Sequence, residues 1–184
     1  MNDANILQIL WDERLITSTM LRFGHTLDLG DWDGHASCFT APVNIDFKKF
    51  TGHDEIRLSP VLWAKFAAFI IGSAPRHHLL GTFETTIEGD RAWATVDMIS
   101  SLWSQTPTGL SSNRQYGWFT VEFARQGDEW KISRIKHDFQ GADGNAAKLD
   151  IQNPEFVALS QEVFSAANKE AARAYLAEVG DRAS

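Results

Sequence analysis

The stretch MLRFGHTLDLGDWD, residues 20–33, joins the end of a long helical pattern to the start of a shorter one. Apolar side chains recur along the longer pattern at spacings of four, three and four residues, at Ile16, Met20, Phe23 and Leu27. These spacings place them on one face of a helix. Gly30 is a typical residue to end that helix, which leaves Asp28 in its last turn.

Strand signals replace the helical pattern after residue 75. Glu-Gly-Asp at 88–90 and Gln-Gly-Asp at 126–128 predict two hairpin turns. The four strands that flank these turns are predicted at 77–87, 91–103, 116–124 and 130–139. The polar segment 104–114 between them is predicted to be a loop, either a lid or a disordered tip. Helices followed by long antiparallel strands indicate an α+β fold with a strongly curved sheet.

Shorter patterns fill the remaining chain. They predict a short helix that Asp31 or Asp33 caps and that runs through His35 to Phe39, and a short strand at 43–47. A helical zone follows from about residue 54, in which Ser59 is the predicted cap and Pro60 the first helical residue. A final helical segment begins at Pro154 after an Asn153 cap. We expect one domain, with its body at 1–141 and a C-terminal helical extension at 142–184. This extension has an apolar face, so it covers either the open end of the fold or another subunit.

The composition predicts a soluble cytoplasmic protein without cofactors. The 184 residues carry a net charge of −7, which disfavours a nucleic-acid partner. From the early acidic residues we expect no leader peptide, the apolar runs are too short to span a bilayer, and the single cysteine excludes an intrachain disulfide. Metal-ligand spacings and glycine-rich phosphate loops are missing from the sequence, so we expect no metal and no nucleotide. Seven Trp and twelve Phe provide enough ring surface to line a pocket.

Three segments resemble the SnoaL-like domains of the superfamily named after nuclear transport factor 2. They are residues 20–33 with Phe39-Thr40, the run HHLLGT at 77–82 with the hairpin that follows, and GDEWKI at 127–132. Together the matches cover about residues 10–140. The resemblance implies a cone-shaped barrel, in which N-terminal helices and a curved, mostly antiparallel sheet enclose an apolar pocket.

The resemblance also implies a candidate catalytic pair. In the dehydratases and dehydrochlorinases of this superfamily, an Asp at the end of the early helix pairs with a His on the first long strand. Asp28 and His78 occupy those positions, whereas Phe23 stands where the dehydratases often carry a Tyr. Adjacent strand residues face opposite sides, so either His77 or His78 points into the apolar pocket, and the resemblance favours His78. The helix dipole disfavours a carboxylate at Asp28 by about 0.3–1 kcal/mol, which is a reason to expect an imidazole partner.

Further candidates follow from residue type and position. Four polar residues are possible catalytic support, and each has a purely structural alternative: Asp97, His137, Arg134 and His25. Asp97 and His137 are candidate acids, Arg134 is a candidate oxyanion ligand, and His25 lies one helical turn before Asp28. Five aromatic residues are candidate substrate-binding walls, although such residues also form cores: Phe23, Trp32, Trp103, Tyr116 and Trp118.

These features predict a cofactor-independent lyase acting on a small hydrophobic, aromatic or polycyclic molecule. His78, oriented by Asp28, would remove a proton while water, a halide or a carbonyl fragment departs. An isomerase or a polyketide-cyclase-like enzyme would use the same pair. A non-catalytic alternative is a binding module or a structural partner like the β subunits of aromatic-ring dioxygenases. We also expect a homo-oligomer, either a dimer or a trimer.

Overall fold

The computed structural model of the chain describes residues 3–145 and 152–180, and it has the expected α+β architecture. Its elements follow in the order α1 (Asp3–Leu29), α2 (Trp32–Ala36), β1 (Phe39–Asp46), α3 (Lys48–Thr51), β2 (Ile56–Leu58), α4 (Pro60–Ile71), β3 (Arg76–Glu88), β4 (Arg91–Thr106), β5 (Gly109–Gln126), β6 (Glu129–Gly144), α5 (Pro154–Val163) and α6 (Ala166–Val179). None of the described helices is long and apolar enough to cross a bilayer.

Six strands form one curved sheet in the order β2-β1-β6-β5-β4-β3. All neighbouring pairs are antiparallel except β1 and β6, which run parallel. The predicted loop at 104–114 is wrong, because β4 and β5 pair without interruption as far as Thr106 and Gly109. Polar residues continue these strands because a hairpin end that projects into solvent has no apolar face to bury.

The predicted stripe of α1 faces the core. Ile16 and Met20 are fully buried, and Phe23 and Leu27 are 2% and 5% exposed. Helix α1 ends where predicted, since Gly30 adopts a left-handed φ of 70°. The face of the sheet that carries Val96, Phe119 and Ile135 lies under the helices, and we call it the inner face.

A bulge in β3 explains why its sequence shows no consistent alternation. Thr82 has a positive φ of 50°, and the pairing with β4 shifts between Gly81 and Phe83. An extra residue at this point moves the following side chains to the opposite face. His78 and Leu80 before the bulge therefore share the inner face with Phe83 after it.

Three parts of the chain differ from the predicted helices. Helix α2, which Asp31 caps as predicted, ends at Ala36, and Phe39 begins strand β1 instead of ending the helix. The zone from residue 54 begins with strand β2, which was not predicted, whereas its helix starts at Pro60 with Ser59 as the cap, as predicted. The final segment contains two helices, because Ser165 caps α6 and Asn168 donates to the carbonyl of Val163 at 2.9 Å. The predicted extension at 142–184 includes 146–151 and 181–184, which lie outside the described residues.

Candidate active site

Asp28 connects the end of α1 to the edge of the sheet. Strand β3 is an edge strand, so the backbone N–H of His78 has no neighbouring strand on that side. This N–H donates to both carboxylate oxygens of Asp28 at 3.0 Å. The Nδ1 atom of His78 lies 2.7 Å from Oδ1, and Nδ1 of His77 lies 3.1 Å from Oδ2. Asp28 thus holds both the backbone and the ring of His78.

Of the two adjacent histidines, His78 is the one that turns inward. Its side chain is 9% exposed, compared with 61% for His77. The Nε2 atom of His78 lies 3.1 Å from Oγ of Ser100, which is directly opposite on β4. Ser100 was missed by the sequence analysis, because its position opposite His78 depends on the strand register. The three residues form a chain of contacts from Asp28 to Ser100.

The protonation of this chain follows from the state of the carboxyl group. Burial alone would raise the pKa of Asp28, but hydrogen bonds from the His78 ring and backbone and from His77 outweigh it. The pKa therefore lies below its usual range, and Asp28 is ionised at neutral pH. An ionised carboxylate only accepts hydrogen bonds, so Nδ1 of His78 carries a hydrogen, and in the neutral form of the ring Nε2 is the nitrogen with the lone pair.

Two further histidines are buried beside aromatic rings of the core. His137, a predicted candidate acid, is 4% exposed on β6, and its ring centre lies 5.3 Å from that of Phe119. His35 on α2 is fully buried, with its ring centre 5.0 Å from that of Phe23. Burial chiefly lowers the pKa of each ring to about 4, so both are neutral at pH 7. His137 is therefore a neutral ring and not a cationic acid, whereas His35 was not predicted as a site residue.

The structure does not bring three of the predicted support residues to His78. Asp97 is exposed on the other face of β4, because it alternates with the buried Val96 and Met98. His25 is exposed on α1.

Arg134 is also on the outer face, in a row that joins directly opposite residues of β1, β6 and β5. Its guanidinium contacts Glu55 at 2.9 Å and Glu122 at 3.2 Å. Two carboxylates thus neutralise this cation on the side of the sheet away from Asp28 and His78. This placement contradicts its predicted role as an oxyanion ligand. The register of β6 determines which face Arg134 occupies, and the sequence alone does not reveal that register.

The predicted aromatic walls are divided between the two faces. Phe23 lies inside, 5.6 Å from Phe119 between ring centres, and Trp32 packs partly buried beside His35. Trp118 is directly opposite the exposed Asp97, and Tyr116 is opposite Ile99.

The side chain of Trp103 lies on the same outer face of β4 as those of Asp97 and Ile99. These three aromatic residues of the outer face are therefore not walls of the interior that His78 faces.

The family model for the SnoaL-like domain matches residues 8–136, which is more than two thirds of the chain. The chain belongs to the SnoaL-like domain family. This match confirms the resemblance found in the sequence and includes the segment with Asp28 and His78. A comparison with curated protein sequences gave no significant match.

Several solved structures share the fold of this chain. A protein of Kribbella flavida is 21% identical with a TM-score of 0.70, over 73% of this chain and 95% of its own. A candidate scytalone dehydratase from Novosphingobium aromaticivorans is 12% identical with a TM-score of 0.63, over 80% and 94%. A hexachlorocyclohexane dehydrochlorinase from Novosphingobium barchaimii is 12% identical with a TM-score of 0.61, over 77% and 95%. At these identities the likeness is one of fold, so the activity has to be argued from the site.

Proposed function

We propose that this SnoaL-like protein is a cofactor-independent lyase in which His78 removes a proton from a small, largely apolar molecule. The observation that carries the proposal is the contact of His78 Nδ1 with Asp28 at 2.7 Å, which leaves Nε2 on the inner face. Dehydratase and dehydrochlorinase folds among the similar structures support the same class of chemistry. Both reactions are eliminations in which a base removes a proton from carbon and a neighbouring leaving group departs.

Asp28 supports this step in two ways. It holds the ring in the tautomer whose Nε2 accepts a proton, and it stabilises the imidazolium that forms. The double contact to the His78 backbone N–H keeps the carboxylate fixed at the strand edge. Asp28 acts through His78 and is therefore a positioning residue.

Ser100 completes the arrangement in the resting state. With Nε2 as acceptor, the Ser100 hydroxyl donates to it over 3.1 Å. A substrate C–H must take the place of this donor before proton transfer. The hydroxyl is then released at the point where negative charge develops, and it is free to donate to an oxygen of the substrate.

Proton removal can be measured before the natural substrate is known. A panel of uncharged aromatic and alicyclic ketones in deuterium oxide reports it as deuterium incorporation next to the carbonyl. The β-hydroxy and β-chloro derivatives of the same ketones then report elimination through the absorbance of the enone product. An isomerase would give exchange and double-bond migration without loss of water or chloride.

We expect His78→Gln and Asp28→Asn each to lower the exchange rate by about 100-fold or more, since a general base contributes typically 10²–10⁴-fold. His25→Gln is the matched control, because it removes an exposed imidazole from the same helix as Asp28. Normal circular dichroism must accompany each variant. Exchange that persists in His78→Gln, or that is lost in His77→Gln instead, would contradict the assignment.

A further inference from the structure

The ring of His137 is enclosed by aromatic side chains and has no polar contact within the described part of the chain. Neither Nδ1 nor Nε2 has a hydrogen-bond partner there. The surrounding rings are Phe47 at 5.1 Å, Phe119 at 5.3 Å, Phe50 at 5.9 Å and Phe139 at 6.1 Å between centres. Leaving a buried ring nitrogen unpaired is costly, so this arrangement requires an explanation.

His35 shows the same feature at the other side of the aromatic interior. Its Nε2 has no partner among the described residues, whereas its Nδ1 lies 3.4 Å from Thr26 Oγ1 and the ring also interacts with the backbone carbonyl of Phe23. The ring of Phe23 contacts both His35 and Phe119, and Phe119 contacts His137. The two histidines are therefore the ends of a continuous row of four rings, with Phe23 and Phe119 between them.

Both histidines lie within electrostatic reach of the proposed base. Burial is the main cause of the low pKa of each ring, and repulsion from the protonated form of His78 lowers both values further. His35, His78 and His137 are therefore three imidazoles around one aromatic interior. Because His35 and His137 are neutral at pH 7, neither ring supplies the positive charge that would offset the cost of burying a carboxylate or a phosphate.

We propose that His137 forms a polar subsite that binds an uncharged hydroxyl or carbonyl group of the substrate. The apolar framework of the substrate lies against Phe119 and Phe23, and the bound group is remote from the C–H that His78 attacks. A neutral imidazole suits this task because it has one donor and one acceptor nitrogen. The inference rests on the proposed function in one respect, namely that the bound molecule is the one deprotonated by His78.

The subsite predicts a preference that simple probes can measure. The probes are 2-naphthol, naphthalene and 2-naphthoate, which share a ring system and differ in one uncharged, absent or anionic polar group. Titration of the wild-type protein with isotope-labelled histidine gives the affinities and the shifts of the His137 ring nitrogens. We expect 2-naphthol to bind about tenfold more tightly than naphthalene, the value of one well-made hydrogen bond, and 2-naphthoate to bind most weakly.

Substitutions separate the subsite from general packing. His137→Phe should bind naphthalene and 2-naphthol equally, whereas His137→Gln, which keeps a donor and an acceptor, should retain part of the preference. His53→Phe is the matched control, because its exposed ring stacks on Phe164 at 4.1 Å and stands apart from the row of rings. The ratio of two affinities is the readout, since a purely structural role for His137 would change both values together.

Three results would overturn the subsite: equal binding of 2-naphthol and naphthalene by the wild type, tightest binding of 2-naphthoate, or unchanged His137 nitrogen shifts with 2-naphthol. All three measurements use the wild type and so do not depend on whether His137→Phe folds. Failure of the proposed function looks different. In that case His78→Gln leaves the rate of deuterium exchange into the ketones unchanged. The wild type still prefers 2-naphthol to naphthalene, and His137→Phe still abolishes that preference.

Discussion

Replacement of the buried His137 by Phe should remove much of the acid sensitivity of this fold. The folded protein binds a proton on His137 more weakly than the unfolded chain does, because the pKa is lowered from 6.5 to about 4. Burial is the main cause of the lowered pKa, the Asp138 carboxylate opposes it, and repulsion from the protonated form of His78 adds to it. Stability from this group is therefore complete above the unfolded pKa and is lost as the pH falls towards 4.

The expected magnitude follows from the two pKa values. The full difference is worth roughly 3.4 kcal/mol, since each unit corresponds to about 1.36 kcal/mol. Between pH 7 and pH 4.5 the linkage relation gives a loss of about 2.4 kcal/mol from His137 alone. His137→Phe should therefore lose about 2.4 kcal/mol less than the wild type over the same interval. His35, whose pKa is also about 4, should show a loss of similar size.

Urea denaturation followed by tryptophan fluorescence at both pH values measures this difference. Urea is uncharged and does not screen the groups concerned, and a fixed protein concentration keeps any association constant. His25→Phe is the control, since this histidine is exposed on α1 and should leave the pH difference unchanged. Equal losses of unfolding free energy in the wild type and in His137→Phe would refute the argument that His137 is buried and neutral.

Three further substitutions test particular contacts of the fold by urea unfolding at pH 7. Thr82→Gly should stabilise by about 1 kcal/mol, because it removes a side chain from a left-handed backbone, and Thr86→Gly in the extended part of β3 should destabilise instead. Gly117→Ala should destabilise by about 2 kcal/mol, since its Cβ would clash with the backbone carbonyl of Asp138; a neutral effect would mean that the two strands lie further apart. Asp12→Ala should lower the free energy of unfolding by about 3 kcal/mol, because the buried indole N–H of Trp130 and the guanidinium of Arg125 lose the carboxylate to which they donate. A loss below about 1 kcal/mol would show that both groups donate to water instead.

Local sequence patterns predicted the features that depend on neighbours along the chain. The spacing of Ile16, Met20 and Phe23 identified the buried face of α1, and Gly30 marked its end, because helical periodicity and a left-handed stop are local properties. The turns at 88–90 and 126–128 are present for the same reason. The helix-end position of Asp28 was a physical reason to expect an imidazole partner, and the observed partner is the one favoured by the family resemblance.

Only the tertiary structure decided which side chains meet across the sheet. The bulge at Thr82 reverses the alternation of β3, so no pattern in that strand could separate His77 from His78 or place Ser100 opposite. The outward position of Trp118 and the burial of His35 depend on the register of strands and on helix packing over long sequence separations. A one-residue shift in register would exchange the two faces, because side chains alternate along every strand, and local propensity does not select between them.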